Sequence, residues 1–161
     1  MPNISFDTAK KEKMKDKKSG GEKKYRLTVN REQLMLISNC LEDCHRFMAG
    51  QLELSNSTAM CDDMHELHDE LRKLHRLVVP ELNAKYGPNA SYSWSGGGCT
   101  NEYQRKFIAS TYYLYREILH FFEKERKKAD LDMEFGYSVY NSPTLTCEDS
   151  GDPIDIETVV G

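Results

Sequence analysis

The chain has 161 residues, of which 39% are hydrophobic and 30% charged, with a formal net charge of −4 and a mean hydropathy of −0.69. That length fits one domain with tails, and the apolar fraction permits a core while leaving extensive polar surface. No run of about 18 apolar residues exists, which excludes an ordinary transmembrane helix, and the start carries no apolar secretory stretch; a soluble cytoplasmic protein is expected.

Charge is distributed unevenly. Residues 1–24 hold eight lysines against Asp7, Glu12, Asp16 and Glu22, a balance of +4 that leaves −8 for residues 25–161. A lysine-rich stretch ending in Ser-Gly-Gly reads as a disordered arm over 1–24. The acidic remainder repels phosphate backbones, so nucleic acid is not an expected partner. Residues 25–161 form the expected single helical domain with C-terminal β segments. The five cysteines are odd in number and lack secretory context. They read as small buried hydrophobes rather than a disulfide framework.

"KYRLTV" (Lys24–Val29) alternates polar and apolar residues as a short strand does. Asn30-Arg31-Glu32-Gln33 then matches a capping box, which predicts a helix start. Leu34, Ile37, Leu41, Cys44 and Met48 recur at spacings of three and four, predicting one buried stripe that ends at Gly50. A second helix is predicted from about Ala59 to Val79, with Met64, Leu67, Leu71, Leu74 and Val78 inward and Pro80 as its stop. Residues 83–100 read as a long loop. Loops of that length in compact domains are often functional. The third helix runs from about Asn101 to Lys127, with Phe107, Thr111, Leu114, Ile118 and Phe122 as its core face. Beyond it, "GYSVY", "TLTC" and "IDIETVV" are β-favouring pieces between turns. The expected fold is α+β, mainly α: three antiparallel helices with a small sheet or ribbon formed by the segment before the first helix and C-terminal strands.

The candidate site lies in the loop, where Trp94-Ser95 leads into Gly96-Gly97-Gly98-Cys99-Thr100 before the third helix. A glycine-rich approach to a helix N-terminus lets an anion reach unpaired N–H groups. Gly97, Gly98 and Arg105 are therefore the candidate phosphate holders, with Tyr92, Trp94 and Ser95 beside a base. Aromatic faces stack nucleobases at about 1–3 kcal/mol each. Arg105, Tyr112, Arg116 and His120 line one face of the third helix, and Arg46 and Gln51 join them if the helices pack antiparallel. The segment is neither a P-loop nor a dinucleotide fingerprint. A tight turn with Trp94 plugging the helix layer is the structural alternative.

"CDDMHELHDELRKLH" offers His65, His68 and His75 among Asp62, Asp63, Glu66, Asp69 and Glu70. The histidine spacing is not that of zinc proteases, and a solvated face accounts for the segment. A magnesium site would pair Glu66, Asp69 and Glu70 with Glu42 and Asp43, which are adjacent rather than one turn apart. Cys99 at a helix start lacks an identifiable base. No metal, cofactor or catalytic residue is assigned.

Three segments carry a resemblance: "YRLTVNREQLMLISNCLEDCHRFMAGQLEL", "PELNAKYGPNASYSWSGGGC" and "NEYQRKFIASTYYLYREILHFF". Their Leu-Thr…Glu-Gln-Leu…Ile helix ending in Gly50-Gln51, their Pro80-Glu81-Leu82 exit, Ser91-Tyr92 loop and Tyr112-x-x-x-Arg116 helix resemble a group of small bacteriophage and prophage proteins also found in Bacteroidales mobile elements. The likeness spans about Tyr25 to Phe122. Phage proteins with a compact polar pocket are similar to signal sponges, which bind cyclic nucleotides or ADP-ribose-derived messengers and withhold them from host defence. The resemblance thus implies a non-enzymatic, homo-oligomeric binder of a small nucleotide-derived ligand. A magnesium-dependent nucleotide-cleaving enzyme and a module binding a host protein are the two alternatives.

Overall fold

The computed structural model describes residues 22–51, 63–87, 89–128, 140 and 142–160. Most of the lysine-rich arm, the expected first turn of the second helix and all of "GYSVY" but Tyr140 lie outside the described residues. Within them the chain forms four helices: α1 (Arg31–Ala49), α2 (Met64–Val78), α3 (Pro80–Tyr86) and α4 (Glu102–Lys128), followed by a 3-10 turn at Glu148–Ser150.

α1 starts where its capping box directs. Asn30 Oδ1 accepts from the Gln33 amide at 2.8 Å, and Gln33 Oε1 accepts from the Asn30 amide at 2.9 Å. The helix ends at Gly50, whose φ of 83° lies in the left-handed region and whose N–H returns to the carbonyls of Arg46 and Phe47. A helix end leaves its last carbonyls without intrahelical donors; here the turn that follows serves Arg46 and Phe47, and distant parts of the chain serve Met48 and Ala49. The Gln51 amide donates to the Arg46 carbonyl at 2.7 Å, and the Tyr92 amide to Ala49 at 2.8 Å. Gln104 Nε2, on α4, donates to Met48 at 2.9 Å and also to the Val78 carbonyl at 3.0 Å. His75 Nε2, on α2, donates to Gly50 at 2.8 Å. The main core cluster fills the space beside these bonds: Ala49, Val79, Tyr92, Cys99 and Ile108, flanked by Met48, Val78 and Leu82.

Along their length α1 and α4 pack antiparallel. Arg31 lies over the Phe122 ring, Ser38 Oγ donates to the Tyr115 carbonyl at 3.2 Å, and His45 Nδ1 donates to the Ile108 carbonyl at 2.9 Å. Ser38, His45 and Ala49 are therefore buried on the inner face of α1. Cys40 and Cys44, expected in the core, are exposed. A small hydroxyl and an imidazole that bond to the opposite backbone turn α1 away from the stripe that apolar residues alone define.

α2 is capped by Asp63, whose carboxylate accepts from the Glu66 amide, and it ends at Val78. It turns Leu71 and His75 inward while Leu74 and Leu77 stay exposed. Its contacts are with α3 and with the end of α1, where Gln104 of α4 also reaches Val78. The expected three-helix core is thus corrected to an α1–α4 pair that α2 meets at one end. Pro80, rather than only ending α2, occupies the first turn of α3, where its missing N–H is harmless.

The expected sheet is also corrected: no strand occurs among the described residues. Residues 22–30 and the C-terminal "IDIETVV" have no ladder, and Arg26 and Glu157 meet only through an exposed ion pair at 3.7 Å. The C-terminal segment directs its polar groups to α4 instead. Ser110 Oγ donates to the Asp149 carbonyl at 2.9 Å, the Ile154 amide donates to the Tyr113 hydroxyl at 3.2 Å, and Thr158 Oγ1 donates to Glu125 at 3.0 Å. With α1 on one side and this segment on another, α4 buries Ile108, Ala109, Tyr113, Tyr115 and Ile118 on more than one face.

A Cβ on Gly50 would sit 2.8 Å from His75 Nε2 and 2.9 Å from Val79 Cγ2, in a left-handed backbone conformation. Gly50→Ala should therefore lower unfolding free energy by more than about 1 kcal/mol in urea denaturation, combining backbone strain with a clash at the junction. An unchanged midpoint would contradict this reading of the helix end.

Candidate functional site

The loop segment from residue 89 to Asn101 is tied down by the Tyr92 amide on the Ala49 carbonyl. The Tyr92 ring goes into the core and is only 5% exposed. Burial, reinforced by a hydrogen bond with the Cys99 thiol, pushes its phenol up to about 12. It is a packing group here, whereas Trp94 is only half-buried.

Glycine in the triplet has a backbone reason. Gly96 has a φ of 67°, and a Cβ there would lie 3.1 Å from both Arg105 Cα and the Arg105 carbonyl oxygen. The loop thus lies directly against the first turn of α4, an approach open only to glycine. Gly98, also at positive φ (85°), faces open space. The Gly96 amide bonds to the Ser93 carbonyl at 2.9 Å, the Gly97 amide to Ser95 Oγ at 3.3 Å, and the Cys99 amide to the Gly96 carbonyl at 3.0 Å. Asn101 Oδ1 caps α4 through the Gln104 amide at 3.0 Å. Arg105 turns toward the C-terminal segment, where Nε donates to Asp149 Oδ2 at 2.7 Å. That carboxylate raises the guanidinium's pKa further. Gly97, Gly98 and Arg105 therefore do not converge on one open cradle.

A second group does converge. The Trp94 indole is half-buried and its centroid lies 5.3 Å from the Tyr112 ring, at 36°. Tyr112 meets His45 at 5.4 Å and Tyr115 edge-on at 5.6 Å. The Arg116 guanidinium stands 5.8 Å from the Tyr112 ring and 4.7 Å from that of Tyr140. One turn before Gly50, Arg46 places Nε and Nη2 on Glu42 Oε1 at 3.0 and 2.9 Å. Both arginines and Glu42 act on the Tyr115 phenol, which burial pushes up to about 12. Of the residues expected from sequence, the fold brings Trp94, Tyr112 and Arg116 together, with Arg46 near. Gln51 contributes a main-chain bond to the helix end, and Ser95 contacts Ser93 Oγ at 3.2 Å.

Sequence reasoning omitted His45, Tyr115 and Tyr140 from this group. Tyr115 is one turn from Tyr112, a spacing that brings helical side chains together. His45 lies seven residues after Ser38 on the inner face. No comparable spacing singles out Tyr140, which arrives from beyond α4.

Chemically, the residues named are aromatic and cationic, with the Glu42 carboxylate on Arg46. Glu66, Asp69 and Glu70 are elsewhere: Asp69 pairs with Arg72 at 3.9 Å, and Glu70 with Lys73. Among the described residues no group of three or more His, Cys, Asp or Glu side chains comes together. No described helix is long and apolar enough to cross a membrane. Compared with protein-family profiles, curated proteins and solved structures, the chain matches none.

Burial lowers the pKa of His45, with nearby Arg46 adding to the effect while the Ile108 carbonyl and Glu42 oppose it. The unfolded chain then binds the proton more readily than the folded one. Stability should fall as pH drops from about 8 to about 5, through the ordinary histidine value of about 6.5, and level off below the lowered folded value. Urea midpoints across this range would show it. His45→Gln, which keeps a donor for Ile108, should flatten the dependence; an equally steep dependence in that variant would assign the proton elsewhere.

Proposed function

We propose that this protein binds, without turning it over, a small anionic ligand bearing a flat aromatic base, on the edge where Trp94 meets Tyr112 and Arg116. The observation carrying this reading is the indole–phenol pair at 5.3 Å with a guanidinium 5.8 Å from the same phenol ring. A base stacking on the open side of Trp94 would gain about 1–3 kcal/mol. Arg116 would meet a phosphate through charge-assisted hydrogen bonds, which are stronger than neutral ones. Arg46, bound to Glu42, adds positive charge nearby.

Binding is favoured over turnover because the imidazoles beside the cluster, His45 on the Ile108 carbonyl and His120 on the Tyr140 carbonyl, are both buried and committed to main-chain acceptors. A general base must reach the proton it removes, and His45 faces α4. The sequence resemblance extends the proposal to its biological form: a phage counter-defence protein that sequesters a cyclic nucleotide or an ADP-ribose-type messenger. A second copy covering the half-buried indole would order the site before binding and so lower the entropic cost.

Trp94 is the only tryptophan in the chain, so its emission reports the site directly. Titration with ADP-ribose and cyclic dinucleotides should quench it saturably with at least one of them. Arg116→Ala should weaken that binding by about tenfold or more. Chromatography should return the ligand intact, and sedimentation of the same samples reports the assembly state. No quenching by any nucleotide would contradict the binding reading; cleaved ligand would replace it with an enzymatic one. A host protein retained by both Trp94→Ala and Arg116→Ala variants, without nucleotide binding by the unaltered chain, would favour the interaction module.

A further inference from the structure

The corner between α2 and α3 contains a feature that the aromatic cluster does not use. Val79, fully buried, joins the two helices, and Pro80 starts the second at once. A cleft of about 230 Å³ opens there, lined by Arg72, His75, Arg76 and Asn83. Two of these are guanidinium groups and none is a carboxylate. We propose that this corner is a binding site for a phosphate-type dianion, either free phosphate or a phosphomonoester.

The floor of the cleft is already satisfied by hydrogen bonds. His75 is 2% exposed and uses Nε2 on the Gly50 carbonyl. Its Nδ1 lies 2.9 Å from the Asn83 carboxamide nitrogen when that amide is oriented to satisfy both its ends. In this orientation the nitrogen also donates to the Gly87 carbonyl at 3.0 Å, and the oxygen accepts from the Arg76 amide at 3.2 Å. These bonds hold the shape of the floor and leave ligand charge to the two arginines.

Arg72 and Arg76 stand one helical turn apart on the same face of α2. Like charges in that relation repel. Their counter-charges are weak: Arg72 reaches Asp69 only at 3.9 Å, with both side chains largely exposed, and Arg76 forms no ion pair among the described residues. A dianion in the cleft would relieve the repulsion and offer enough oxygen acceptors for both forks, whereas a single carboxylate has only two oxygens to share. The site requires nothing of the Trp94 cluster, and the two proposals stand or fall separately.

Nuclear magnetic resonance at constant ionic strength tests it, with inorganic phosphate and with phosphoserine as separate probes. The Arg76 amide, the Asn83 carboxamide and the Arg72 and Arg76 Nε–H signals should shift saturably with at least one probe. The double variant Arg72→Ala/Arg76→Ala removes two exposed side chains, so the helix should persist by circular dichroism while binding weakens about tenfold or more. Lys73→Ala, on the neighbouring face, should leave binding unchanged. Comparable affinity for the two probes identifies free phosphate as a sufficient ligand; a response to phosphoserine alone identifies a phosphate carried on a larger molecule. Shifts that stay linear in both probes, or that are equal in the double variant, overturn the proposal.

Discussion

The last carbonyls of α1 need donors, and the way the chain supplies them organises the molecule. A helix terminus buried without partners for its carbonyls is costly, because each desolvated acceptor without a bond loses about 1–3 kcal/mol. Here Gln104 of α4, His75 of α2 and the Tyr92 amide of the loop each donate to one of three successive residues, Met48, Gly50 and Ala49 respectively. Three segments distant in sequence are thereby drawn to one place. Gly50 makes this possible: its left-handed turn brings the Gly50 carbonyl to His75, and its lack of a Cβ leaves room for the imidazole and Val79.

From that junction the candidate site follows. The Tyr92 bond to Ala49 anchors the loop, Gly96 lets it rest on the backbone of Arg105, and Trp94 between these anchors reaches Tyr112 on the next part of α4. The glycine triplet, which suggested an anion cradle, acts through close backbone approach at Gly96. The arginine suggested as its phosphate partner holds the C-terminal segment through Asp149. The same junction also shapes the α2–α3 cleft, since His75 serves both the helix end and the floor beneath Arg72 and Arg76.

Signals with a local cause were legible in the sequence. The Asn30–Gln33 box, the Gly50 stop and the start of α4 near Asn101 depend on neighbouring residues, and all three appear in the structure where expected. Features decided at long range were not. Ser38 and His45 face inward because each finds a carbonyl on α4, a benefit that apolar periodicity ignores, and Cys44 is left outside as a result. Alternation in "KYRLTV" and "IDIETVV" suits a strand but supplies no partner; α4 claims the Ile154 amide and the Thr158 hydroxyl instead. In the site, Trp94 was visible as the lone tryptophan beside glycines. The burial of Tyr92 and the capture of Arg105 depend on Ala49 and Asp149, both more than 40 positions away in the chain.

Exchange of the Tyr92 amide measures the organising role of the α1 terminus most directly. Gln104→Leu preserves bulk but removes the donor that Met48 and Val78 share, without touching the loop itself. Hydrogen exchange of that variant should show Tyr92 losing far more protection than the Tyr115 amide in the middle of α4, because the terminus no longer holds its partners together. Equal loss at the two amides, or unchanged protection at Tyr92, would mean that the loop is fixed by packing alone and that the carbonyls of α1 do not organise the fold.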